Sequence, residues 1–213
     1  YKTNVDFAIS FDLDVIKVYE DFDRMERLAY GKEPGNEKKV AMAKRVYDLC
    51  QIGPRPQTMP FQPAFRHLCN ILQAYSGDIA TAEECYRQEV QNERDHRRFT
   101  QRSRCALFWL NNYAPEDFKF KLNTAPVSVE ISPAVREFVL KLRQYLSDSW
   151  EQISSDQELH QKIYDLMKES QLTPAETFKP LYQLLISKDM GPKLAGFIRI
   201  LGKDIVINLL NVP

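Results

Sequence analysis

Five arginines crowd one short stretch, "RDHRRFTQRSR", where Arg94, Arg97, Arg98, Arg102 and Arg104 stand against a single carboxylate, Asp95. On a helix, Arg94, Arg97 or Arg98, and Arg102 share a face, and guanidinium forks match the paired oxygens of a phosphate. Phe99 and Trp109 lie close by in sequence. Unpaired RNA bases are read by stacking on such rings as well as by edge contacts. The plainer alternative is a solvated face whose arginines pair with Glu89 and Glu93.

A second basic spot closes the chain. In "SKDMGPKLAGFIRILGKDIVINLL", Lys188, Lys193 and Arg199 surround an expected helix start at Gly191-Pro192. Free amides at a helix N-terminus favour an anion, and proline suits the first turn. A Walker phosphate loop is excluded, because Gly191 and Gly196 are followed by Pro192 and Phe197 and no Lys-Ser or Lys-Thr pair follows. A membrane anchor is excluded by Arg199, Lys203 and Asp204 within the apolar run.

Other chemistry finds little support. His67, His96 and His160 are far apart, and none belongs to H-E-x-x-H. His67 is expected to border the core. Cys50, Cys69, Cys85 and Cys105 form no C-x-x-C pair, so they read as small buried hydrophobes. Asp12-x-Asp14 and Glu20-Asp21-x-Asp23 suggest a hard cation only if their oxygens converge. Within a helix, Glu20, Asp23 and Arg27 are expected to stack as surface partners. No nucleophile–base pair can be assembled, so no catalytic or metal-binding residue is assigned.

The elements that must position these residues read as helices. "LDVIKVYEDFDRMERLAY" repeats apolar residues at steps of three or four through Val15, Ile16, Tyr19, Phe22, Met25 and Leu28. "NEKKVAMAKRVYDLC" continues the pattern, and "IGPRPQTMP" breaks it. Phe65, Leu68, Cys69 and Leu72 mark the next helix. Asp78 is placed to cap the one after it. Ser132-Pro133 opens a long helix, and Thr173-Pro174-Ala175-Glu176 is a capping box. Pro180 sits inside the following apolar pattern, where a kink is expected. Gly202 is expected to split the last segment in two. Nine or ten helices result, with no strand alternation beyond a possible extended "VSVEIS". The fold class is therefore all-α, a multi-helix bundle whose loosest stretch is Pro115–Pro133. We divide it into residues 1–125 and 126–213.

The chain has 213 residues, 44% of them hydrophobic and 27% charged, with 29 basic and 29 acidic side chains. Zero net charge argues against gripping nucleic acid by bulk attraction and leaves room for a local site. With no targeting or spanning segment, a cytoplasmic protein without membrane partners is expected. The start at Tyr1 reads as a piece of a longer protein.

Several ordered blocks carry a resemblance. "FAISFDLDVIKVYEDFDRMERLAYG", "MPFQPAFRHLCNILQ", "RCALFWLNNYAPEDFKF" and "LTPAETFKPLYQLLISKDMGPKLAGFIRILGKDIVINLL" together resemble the C-terminal region of class I lysyl-tRNA synthetases. The resemblance implies a helical linker or stem-contact domain at 1–125 and an α-helix cage at 126–213 that binds the anticodon. It implies tRNA(Lys) and the catalytic domain of the same chain as partners. ATP and Mg2+ would serve the full-length enzyme and neither would bind this region. HIGH-like and KMSKS-like signatures do not occur here, so no lysine activation is expected of this stretch alone. The arginines of 94–104 would lie towards the tRNA stem or the inner side of its L, Lys188, Lys193 and Arg199 towards the anticodon, and Trp109 is a further tRNA-contact candidate. The family often ends in a basic pair near its last leucine, where this chain has Asn208-Leu209-Leu210. A helical protein-interaction scaffold that has kept this fold without RNA work remains the alternative.

Overall fold

A computed structural model of the chain describes residues 10–212. Phe7, Ala8 and Ile9 of the opening block, and Tyr1, lie outside the described residues. Ten α-helices follow one another with no strand among the described residues, as the periodicity predicts. They fall into two compact units. The first runs to Leu72 and resumes from Gly77 to Pro115; the second comprises Gln73–Ser76 and the chain from Glu116 onward.

The first unit holds α1 (Asp14–Ala29), α2 (Glu37–Leu49), most of α3 (Phe65–Ala74), α4 (Ile79–Glu84) and α5 (Glu93–Asn112). Gly31 ends α1 in the left-handed region at φ +68°, which glycine adopts without strain. Asn36 caps α2 by accepting from the Lys39 amide at 2.9 Å, and Asp78 caps α4 through the amides of Ala80 and Thr81. Ile16, Leu28, Tyr47, Phe65, Leu68, Leu72, Phe99 and Trp109 are buried.

Two expectations need correction here. Val15, Tyr19, Phe22 and Met25 of α1 are only half-buried, whereas Asp23 and Glu26 are buried. A hydrophobicity count misplaces the buried face of α1, because it has no means of anticipating cationic partners inside. Asp23 is thus not a surface partner of Arg27, which bonds Glu33 instead. None of the four cysteines is in a disulfide, and only Cys69 is buried; its burial pushes the thiol up to about 12. His67 is exposed.

The second unit holds α6 (Pro133–Ser149), a 3-10 turn (Trp150–Gln152), α7 (Asp156–Glu169), α8 (Pro174–Ile186), α9 (Leu194–Leu201) and α10 (Lys203–Leu209). Phe138, Leu142, Leu146, Leu159, Ile163, Leu181, Leu185, Phe197 and Ile198 form its core. Ser132 caps α6 and Thr173–Glu176 closes a reciprocal capping box on α8. Pro180 sits within α8, which runs unbroken to Ile186. The "VSVEIS" segment forms no strand. Just before it, Asn123 takes up loose carbonyls at the end of α8, donating from Nδ2 to Gln183 and Leu184.

Gly202, at φ +82°, separates α9 from α10 as expected. The start of α9 differs from the expectation. It begins at Leu194, with Lys193 as the capping residue, so Pro192 precedes the helix. Gly191 lies so close to α8 that a Cβ there would sit 2.8 Å from Ile186 and 2.9 Å from Tyr182. The Tyr182 hydroxyl donates to the Pro192 carbonyl and ties that segment to α8. Among the described residues no helix is long and apolar enough to cross a membrane.

Candidate nucleic-acid interface

Helix α5 carries its arginines in two rows, and its start explains why. Asn92 caps it, accepting from the amides of Arg94 and Asp95 at 3.0 and 3.1 Å. Asp95, the one acid of the arginine stretch, is buried and accepts from the Phe61 amide at 2.8 Å and from Asn92 Nδ2 at 2.6 Å. It pins the 51–64 connector to the helix and is not a counter-charge for the arginines.

The inner row is Arg98 and Arg102. Arg102 is buried and makes a two-pronged bond to Asp23, Nη1 to Oδ1 at 2.7 Å and Nη2 to Oδ2 at 2.8 Å. Burial pushes the Asp23 carboxyl above its ordinary range, against the opposing pull of that fork. Arg98 donates from Nη2 to Glu26 at 2.7 Å. The fully buried Glu26 also accepts from Tyr47 at 2.8 Å and from Gln62 at 2.6 Å. Tyr47 is driven upward by burial and then by this carboxylate, so its hydroxyl stays a donor. Each buried charge here has a partner, which is the condition for tolerating it.

The outer row is Arg94, Arg97 and Arg104, all exposed. Arg94 reaches Thr58 at 3.4 Å, and Arg97 lies 3.9 Å from Glu93, a loose pair between exposed groups. Arg104 has no partner among the described residues. The sequence therefore places five arginines on one helix, and the structure brings only three of them to the solvent. Glu93 does pair as the plainer reading expects, but Glu89 bonds no arginine among the described residues.

The rings also differ from expectation. Phe99 is fully buried, and Trp109 is 3% exposed with its indole N–H given to the carbonyls of Phe11 and Asp12. Neither presents a face to a base. The next-door Phe108 is 61% exposed and meets exposed Tyr113 at 5.9 Å between centroids; Tyr113 in turn meets exposed Phe11 at 5.2 Å. This aromatic cluster escaped the sequence reading because a one-residue step rotates a helical side chain by about 100°.

In the second unit Lys188 donates to the Glu116 carbonyl at 2.7 Å and Arg199 pairs with Asp156 at 2.7 Å. Lys193 is exposed with no partner among the described residues. A further basic face was missed altogether. Lys38, Lys39, Lys44 and Arg45 of α2 are exposed and enter no ion pair among the described residues, beside exposed Met42 and Leu49. Among the described residues, no three His, Cys, Asp or Glu side chains group in a way that could hold a metal.

No family model matches the chain. It is 38% identical over 204 residues to the lysine--tRNA ligase of Borreliella burgdorferi, covering 95% of the chain and 39% of that protein. It is 37% identical to that of Treponema pallidum over 217 residues, 99% of the chain and 40% of the relative. With the Thermococcus kodakarensis ligase the identity is 32% over 217 residues, 99% and 41%. The chain thus spans about two-fifths of the length of the curated relatives it matches. Bacterial and archaeal relatives align along nearly all of it, and the architecture contains helices throughout. The chain is an all-helical homologue of the lysine--tRNA ligases.

Proposed function

We propose that this chain is the tRNA(Lys)-binding portion of a class I lysyl-tRNA synthetase. In this reading residues 1–125 form the linker that meets the tRNA body, and residues 126–213 form the α-helix cage for the anticodon. The observation that carries it is the outer row of α5: Arg94, Arg97 and Arg104 exposed along one helix that ends in an open aromatic cluster. Cations along a helix grip phosphates, and exposed rings accept unpaired bases. Homology along the chain supports the same partner. Of the second unit's candidates, Lys193 is the one whose charge is uncommitted.

ATP, Mg2+ and lysine activation belong, in this reading, to the catalytic domain of the full-length enzyme. The second reading, a protein-interaction scaffold, is favoured by one feature, the exposed Met42, Leu49 and Ile52 along and beyond α2.

Fluorescence-anisotropy titration with tRNA(Lys) and with an anticodon-substituted tRNA, at two salt concentrations, separates these readings. Binding that weakens with salt and with loss of the anticodon is expected. Equal affinity for both tRNAs would remove anticodon recognition from the proposal. Absence of salt-dependent binding would favour the scaffold.

A further inference from the structure

A cleft of about 310 Å³ opens between α1 and α5, lined by Val18, Tyr19, Phe22, Arg98, Gln101, Arg102 and Cys105. Its volume lies at the lower end of small-ligand pockets, and its composition is typical of them: apolar walls with a few placed polar groups. Val18 and Phe22 supply the apolar wall. Tyr19 stacks on Phe65 with centroids 3.9 Å apart, so its ring is held rather than free to turn. Burial, and then the neighbouring Cys105 thiol, push the Tyr19 hydroxyl up to about 12, which keeps it protonated.

Three polar groups here have unused capacity. Among the described bonds Arg98 uses only Nη2, given to Glu26. Arg102 lies over the Tyr19 ring at 5.1 Å and leaves its Nε buried without a partner. Gln101 is exposed, with an amide able both to donate and to accept. Gln101 also stands four residues after Arg97 and three before Arg104. Those spacings put all three on one side of α5, with the two outer-row cations about 10 Å apart along the axis.

We infer that this cleft receives one unpaired nucleotide of a bound RNA. The base would enter against Phe22 and the edge of Tyr19, whose ring Phe65 and Arg102 already cover, its acceptor edge meeting Gln101 and Arg98. The flanking phosphates would fall to Arg97 and Arg104. The nucleotide must already be unstacked, because drawing a base out of a helix costs energy that a shallow cleft does not return. A loop nucleotide fits and a stem nucleotide does not. This rests on the tRNA-binding reading above and adds a base-binding site in the first unit, separate from any anticodon contact in the second.

The test fills the cleft without touching its cations. Val18→Trp is compared with wild type for tRNA(Lys) affinity across a salt series, with far-ultraviolet circular dichroism to establish that the helices persist. Gln101→Leu, an exposed position, serves as the second variant. Affinity about tenfold weaker in both, with the salt slope unchanged, is expected, because stacking and edge contacts are lost while phosphate contacts remain. Iodoacetamide labelling of the wild type should show Cys105 protected at least fivefold by tRNA, with exposed Cys50 and Cys85 as internal controls. Wild-type affinity in the two variants, or an unprotected Cys105, overturns the cleft inference and leaves RNA binding standing. No binding by the wild type overturns both.

Discussion

Arg102 and Arg104 stand two positions apart and experience different surroundings. Arg102 is surrounded by protein and bonded twice to a buried carboxylate; Arg104 is in water. Arg102→Ala would leave Asp23 buried without its partner, so a loss of about 3–5 kcal/mol is expected in urea unfolding. Arg104→Ala should stay within roughly 0.5 kcal/mol of wild type. Replacing the pair together, Arg102→Met with Asp23→Leu, should recover most of the loss, because the penalty lies in stranding one charge. Because Arg102 also lines the cleft between α1 and α5, any effect of Arg102→Ala on RNA binding beyond the folded fraction would be read at that cleft. The contrast shows what was legible at this scale. That five arginines share one short stretch is evident from the letters alone. Which of them face inward depends on Asp23 and Glu26, 79 and 72 positions away from Arg102 and Arg98, and no local pattern announces that meeting.

At the scale of elements the letters speak more plainly. Asp78, Ser132 and the Thr173–Glu176 box each cap the helix that their spacing implies, since a cap is a contact across two or three residues. Ser132→Ala should cost about 1 kcal/mol, read from thermal unfolding. The carboxylate caps add a pH signature. The Thr81 hydroxyl and amide hold Asp78 below its ordinary range, and the Ser154 and Thr173 hydroxyls and amides do the same for Glu158 and Glu176. A depressed folded-state value means a contribution fully present above the unfolded value of about 4 and lost as pH falls through the lower folded value. The melting-temperature deficit of Asp78→Ala against wild type should accordingly be full at pH 7 and shrink between pH 5 and pH 3. Gly202, with φ +82° and ψ 162°, occupies a region closed to side chains, so Gly202→Ala should cost roughly 1–3 kcal/mol. The helix start at Leu194 was less legible. Gly191-Pro192 has the composition of a first turn, but it packs against Tyr182 and Ile186 of α8 and lies ahead of the helix.

For the molecule as a whole, a net charge of zero hides an uneven allocation. The inner arginines are neutralised by buried acids, and the outer arginines with the lysines of α2 and Lys193 are left to solvent. Long-range attraction for RNA should therefore be modest and depend on few groups. Replacing Arg94, Arg97 and Arg104 together by glutamine should flatten the slope of log affinity against log salt by about 2–3, measured by anisotropy with tRNA(Lys). Replacing Lys188 and Arg199, which are already engaged with Glu116 and Asp156, should change that slope less than replacing Lys193 alone.

The two rows of α5 also bear on how variation in this helix is to be scored. A substitution matrix treats arginine-to-lysine as one mild exchange wherever it falls. Here it is two different events. At Arg104 a compact ammonium still offers a charge to water and to phosphate. At Arg102 it cannot reproduce a planar fork bonded to both oxygens of Asp23, so the same exchange breaks a buried match. A lysine scan along α5 would read out this division position by position, with tolerance at Arg94, Arg97 and Arg104 and damage at Arg102.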